Sequence, residues 1–138
     1  MSTVRPLDRL MLIDGAMTAG EGGAAGDWID SHSPATLEPL GRVPNATAGD
    51  VDRAVVASAR AQREWAALSV WARASALRNL AAAIRARGGE ILELEARDTG
   101  NTLAKLQADV QIAAGYLDYF GGLGSELKGE TVPATASG

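Results

Sequence analysis

Leu103-Ala104-Lys105-Leu106-Gln107-Ala108-Asp109-Val110-Gln111-Ile112-Ala113-Ala114-Gly115-Tyr116-Leu117-Asp118-Tyr119-Phe120 is the stretch that decides how this chain folds. Leu103, Leu106, Val110, Ala113, Leu117 and Phe120 recur at alternating steps of three and four. That spacing draws one apolar seam along about five turns of α-helix. Ile112, Tyr116, Tyr119 and Leu123 widen the stripe. So broad an apolar face predicts a central helix, packed by its neighbours.

The preceding sequence predicts those neighbours. Thr47-Ala48-Gly49-Asp50 has capping-box spacing, with Asp where Glu is commoner, and starts a helix bearing Val51, Ala54, Val55, Ser58, Gln62 and Trp65. Ser69 is the expected cap of a second helix, whose buried stripe reads Ala74, Leu77, Leu80, Ala81, Ile84, with Gly88-Gly89 as its stop. A third runs through Ile91 and Leu94 to Thr99-Gly100, and the long helix begins near Thr102. Upstream of residue 47 the pattern is extended. Leu10 to Ile13 reads as a strand, Asp14-Gly15 as a tight turn and Met17 as the start of the return strand. Gly20 to Gly26 reads as a flexible loop, Trp28 to His32 and Pro39 to Val43 as strands, and Ser33-Pro34-Ala35-Thr36 as the turn between them. The fold class is therefore α+β: a flexible N-terminus over 1–9, a β-hairpin region over 10–46, four helices over 47–127, and the start of an extended segment over 128–138.

Composition narrows the function classes. The 138 residues suit one domain. Thirteen Lys and Arg against 17 Asp and Glu give a formal charge of -4, which argues against nucleic acid as a partner. Aromatics are 4%, so the core must come from Ala, Leu, Val and Ile. Zero cysteines exclude a disulfide, a Cys-ligated zinc and a thiolate nucleophile in this sequence, and one His excludes a two-histidine metal site. No run approaches the ~18 apolar residues of a membrane span, and Met1 to Arg9 lacks the apolar core of a secretory signal, so a cytoplasmic protein without membrane contact is expected.

The chemistry-bearing residues form no catalytic constellation. Gly20-Glu21-Gly22-Gly23-Ala24-Ala25 matches G-x-G-x-x-A, but lies between two short extended pieces, where the fingerprint has no helix to open. His32 reads as a half-exposed residue before a turn, Glu90, Glu93, Glu95 and Asp98 as a solvated helix face, and Arg73, Arg78, Arg85 and Arg87 as surface ion-pair partners. Trp65 and Trp71 bracket a helix–helix corner.

The order of these pieces resembles the N-terminal part of the NAD(P)-dependent aldehyde dehydrogenase superfamily. Leu12-Ile13-Asp14-Gly15 is similar to its opening strand and turn, and Ser33-Pro34-Ala35-Thr36 to its Asn-Pro-Ala-Thr turn. Gly41-Arg42-Val43-Pro44 and Asp50 to Val55 resemble its entry to the first helix, and Trp65-Ala66 with Leu68-Ser69 its helix corner. Asp98-Thr99-Gly100 resembles its helix end, and Leu117-Asp118-Tyr119-Phe120 with Leu127 to Pro133 its Tyr-Tyr-Ala-Gly to Gly-Glu-Thr-Ile-Pro stretch. Val70-Trp71, Arg73, Asn101-Thr102 and Gly121-Gly122 depart from the family pattern and mark an outlying subgroup.

The resemblance implies an oxidoreductase that converts an aldehyde to a carboxylic acid with NAD or NADP. A Cys nucleophile, a Glu that activates water and the cofactor contacts would all lie outside this stretch. The chain would then be an N-terminal fragment, structural and not catalytic alone, with the rest of the enzyme chain as its partner in a homo-oligomer. The alternative is a stand-alone, non-catalytic helical interaction module. Some members hold Na+ or K+ with a helix carboxylate and carbonyls before the Asn-Pro turn, which implies a site at Asp109, Ser31 and His32.

Overall fold

The computed structural model describes residues 9–126 and 128–131. Residues 1–8 of the flexible N-terminus expected over 1–9, and residues 132–138 of the extended segment expected over 128–138, lie outside the described residues. Residues 128–131 have no regular secondary structure.

β1 (Met11–Ile13) pairs antiparallel with β2 (Ala16–Thr18), Met11 opposite Thr18 and Ile13 opposite Ala16. Between them Asp14 and Gly15 have φ of 53° and 75°. Two consecutive positive φ values make the two-residue turn whose twist matches the strands, and Asp-Gly adopts it readily. The flexible loop expected next is instead a short helix, α1 (Gly20–Ala24). Trp28 pins it to the following strand, donating its indole N–H to the Gly23 carbonyl at 3.1 Å. β3 (Trp28–His32) and β4 (Pro39–Pro44) form a second antiparallel hairpin, irregular between Ser31 and His32. Ser33 closes its turn, donating its N–H to Glu38 O at 2.9 Å and accepting the Leu37 N–H at 2.8 Å.

Four longer helices follow. α2 (Ala48–Ala67) starts from the Thr47–Asp50 capping box, and α3 (Val70–Ala86) from Ser69, which accepts the Ala72 N–H at 3.1 Å. Gly88-Gly89 does not stop α3 through a left-handed cap. Arg87 caps it, and Gly88 opens α4 (Gly88–Thr99), lying against Val110. Gly100 at φ 70° ends α4 as expected, because a left-handed cap frees the last carbonyls to find donors. α5 (Leu103–Gly122) starts from Thr102 and passes into a 3-10 turn, Leu123–Glu126.

The core is the seam between α3 and α5, which run antiparallel. Ala74, Ala81, Leu106, Val110, Ala114 and Gly121 are buried. Small residues on both helices let the backbones approach closely. A Cβ on Gly121 would lie 3.4 Å from the Ala74 carbonyl. This close approach explains three departures from the expected stripes. Ala114 and Gly121 replace Ala113 and Phe120 in the seam, because a Phe ring cannot enter a backbone-to-backbone contact. Leu80 and Leu103 are exposed. α5 is packed on one side and not all round, leaving Ile112, Tyr116 and Tyr119 exposed. On α2 the expected stripe is likewise open at Val51 and Val55, while Asp50 and Ala57 are buried.

A side chain enlarged at the seam has nowhere to go. Ala81→Leu, at a fully buried position, is expected to lower unfolding free energy by about 1–3 kcal/mol through overpacking. Ala82→Leu, on the exposed side of the same helix, is expected to stay within about 0.5 kcal/mol. Urea unfolding of the two variants checks the pair.

Candidate functional site

The polar groups converge most tightly on Asp50, the largest fully buried side chain among the described residues. It accepts the Thr47 N–H at 2.9 Å and the Thr47 hydroxyl at 3.0 Å. From the other side come the Glu21 N–H at 2.9 Å and the Gly22 N–H at 3.5 Å. Asp50 therefore caps its own helix and also fills the N-terminus of α1, 28 residues upstream by the Gly22 contact. Gly22 must be glycine, because a Cβ there would sit 1.8 Å from the Asn45 carbonyl oxygen. Arg53 bridges Asp50 and Glu21 on the solvent side.

The electrostatics follow from those donors. The Thr47 N–H first, then the Glu21 N–H, hold the Asp50 carboxyl down at about 2 against burial, which pushes it up. The amides of the G-x-G-x-x-A stretch thus already hold a carboxylate of the chain itself. They have no free donors for a dinucleotide phosphate, so this stretch does not fit NAD or NADP.

The residues expected at a cation site fall as follows. The Ser31 hydroxyl donates to Asp98 Oδ1 at 2.6 Å, joining the end of β3 to the end of α4. His32 is exposed on β3 beside the strand irregularity. Asp109 sits on α5 and accepts from Lys105 Nζ at 2.6 Å, one turn earlier. Asp109 also lines a cleft of about 280 Å³ with Glu95, Ile84, Ile91, Leu106 and Val110. Among the described residues no three His, Cys, Asp or Glu side chains cluster as metal ligands. Sequence reasoning missed the Ser31–Asp98 contact, since nothing local relates residues 67 positions apart.

Two of the four arginines meet acids and a third meets a carbonyl. Arg85 meets Asp118 at 2.7 Å and Arg87 meets Glu90 at 2.9 Å, while Arg73 turns back to the Leu68 carbonyl. Such exposed pairs contribute about 0–1 kcal/mol each and form no anion patch. Trp65 lines a second cleft with Val70, Ala74, Leu77 and Phe120, consistent with a packing role at the helix corner. Among the described residues no helix is long and apolar enough to cross a membrane.

Residues 22–138 match the model of the aldehyde dehydrogenase family. The chain belongs to the aldehyde dehydrogenase family. Solved relatives superpose over almost all of it. Lactaldehyde dehydrogenase from Escherichia coli is 35% identical over 97% of this chain, with a TM-score of 0.88. PnpE, solved in complex with nicotinamide adenine dinucleotide, is 33% identical over 94% of this chain, with a TM-score of 0.85. An NAD-dependent aldehyde dehydrogenase from Sinorhizobium meliloti is 28% identical over 96%, with a TM-score of 0.86. This aldehyde dehydrogenase chain spans only 26–28% of the length of these three.

The Asp50 hydrogen bonds make a pH prediction for it. The folded carboxyl, at about 2, lies below its ordinary 3.8, so its contribution is fully present above about pH 4. It is lost as pH falls from about 4 to about 2. Asp50→Asn is expected to be less stable at neutral pH and to lack that acid-dependent loss. Thermal melts of both proteins across this window check it.

Proposed function

We propose that this chain is the N-terminal supporting part of an enzyme that oxidises an aldehyde to a carboxylic acid with NAD or NADP. Membership of the family over residues 22–138 carries the reading. Relatives that hold nicotinamide adenine dinucleotide or act on lactaldehyde by name support the cofactor and the substrate class. The work of these residues is structural. The sequence has no Cys to attack a carbonyl, and the amides of its Gly-rich stretch are taken by Asp50. Thiol nucleophile and cofactor contacts are therefore expected from the remainder of the polypeptide. That remainder is the proposed partner, in a cytoplasmic homo-oligomer.

A monovalent cation, Na+ or K+, belongs to the same reading. Of the carboxylates on the helices, we assign Asp98 ahead of Asp109 to join Ser31 and His32 there. The Ser31–Asp98 hydrogen bond supports the choice, because Asp109 is engaged by Lys105. One carboxylate, a hydroxyl and strand carbonyls suit a hard, weakly held ion.

Two measurements test this. The product of the whole gene is expected to reduce NAD+ or NADP+ in the presence of an aldehyde, and the 138-residue chain alone to show no turnover. Turnover by the chain alone overturns its supporting role, and none by the whole product overturns the enzyme. For the ion, the melting temperature of the whole product is expected to be higher in KCl or NaCl than in choline chloride. Asp98→Asn should abolish that difference and Asp109→Asn retain it; the opposite pattern returns the site to Asp109.

A further inference from the structure

Asp14-Gly15 is the only place in the sequence where an aspartate or asparagine precedes a glycine. An aspartate carboxyl stands one five-membered ring away from the next residue's amide nitrogen. A glycine in that next position leaves the nitrogen unshielded, because it has no Cβ. The fold sets this pair at the tip of the β1–β2 hairpin, where the Asp14 side chain is 57% exposed to water. Nothing lies within 4 Å of where a Cβ on Gly15 would be. Among the described residues no hydrogen bond engages the Gly15 N–H.

The backbone at the tip is lightly held. Asp14 has φ 53°, in the left-handed region that disfavours a residue bearing a Cβ. The hairpin has two strands of three residues each and joins no larger sheet among the described residues. A hairpin that short is marginal by itself, so its turn opens more often than a packed helix does. Opening lets the Asp14 backbone rotate until its carboxyl carbon faces the Gly15 nitrogen. Arg60, on α2, works against this. Its guanidinium pairs with Asp14 Oδ1, ties the tip to the helix and engages an oxygen that ring closure must expel.

We propose that Asp14-Gly15 is a site of spontaneous covalent modification, where Asp14 isomerises to isoaspartate through a succinimide, and that Arg60 is the positioning residue that restrains it. The Gly15 nitrogen attacks Asp14 Cγ. The new C–N bond closes the ring as the carboxyl OH and the amide proton depart together as water. One water then adds back. Addition at Cγ breaks the new bond and restores aspartate. Addition at the Asp14 main-chain carbonyl breaks the original C–N bond instead, and the chain thereafter runs through Cβ and Cγ. The mass is unchanged, and no reactant besides water takes part. The product carries one more main-chain carbon at the tip, which a two-residue turn does not accommodate. Its carboxylate sits directly on Cα and no longer reaches Arg60, so the tie between the hairpin and α2 is lost.

The folded whole gene product, held at neutral pH and body temperature for several weeks, tests this. Trypsin releases Leu10 to Arg42 as one peptide, which also carries Asp27 and Asp30 as internal references. Electron-transfer fragmentation distinguishes isoaspartate from aspartate at each of the three. Isoaspartate is expected to accumulate at Asp14 well ahead of Asp27 and Asp30. Arg60→Gln should raise the rate at Asp14 by about two- to fivefold, the factor that an exposed ion pair of ordinary strength supplies, and leave the other two unchanged. Aspartate intact at position 14 after ageing overturns the proposal. An unchanged rate in Arg60→Gln overturns the restraint by Arg60. Acceleration at all three aspartates does so too, because the substitution has then loosened the whole fold. Neither result depends on whether the product oxidises an aldehyde.

Discussion

A buried carboxylate without donors is among the most unfavourable groups a small protein can carry, and Asp50 is held here by backbone amides, a hydroxyl and Arg53. Two backbone amides arrive from α1 and one, with a hydroxyl, from Thr47. Removing any one of these segments would leave the charge short of partners. The need to satisfy it therefore ties α1 to the start of α2. It also explains the glycines around it. Only a backbone without a Cβ brings the Gly22 amide this close while passing the Asn45 carbonyl.

The second organising contact is of the opposite kind. Between α3 and α5 the half-exposed Arg85–Asp118 pair adds little, and small side chains decide the geometry. Alanine and glycine at Ala74, Ala81, Ala114 and Gly121 set the separation of the helices, and Leu106 and Val110 fill what is left. A seam of small residues gains close backbone contact but little apolar area, about 25 cal/mol for each Å² removed from water. The chain thus folds its helices into a layer while leaving large side chains such as Trp71, Tyr116 and Phe120 open. A layer of this kind suits the supporting role proposed for the chain.

Much of the site was legible only in part. The Thr47–Asp50 box was readable because its partners are three residues apart. Its reach to Glu21 and Gly22 was not, because no local pattern relates a helix cap to amides nearly thirty residues away. The same blindness applied to Ser31 and Asp98. Asp109, early on the long helix, was indicated only by the family resemblance, and three-dimensional proximity favours another acid for Ser31. The Gly-rich stretch looked like a loop for a related reason. Glycine discourages a helix unless something outside the segment holds its first amides, and here Asp50 does.

The sequence by itself determined what depends on neighbours within about four residues. Those are the Asp14-Gly15 turn, the caps at Thr47, Ser69 and Thr102, the left-handed stop at Gly100 and the helical period of α5. It also carried enough ordered motifs to name the family. The tertiary structure alone decided which side of each helix is buried, that Gly88 opens a helix, and that Asp50 serves two helices at once. Periodicity draws a stripe, but the closest approach between backbones selects where that stripe is centred. On α5 that approach favours Ala114 and Gly121 over their bulkier neighbours, and turns the aromatic side outward.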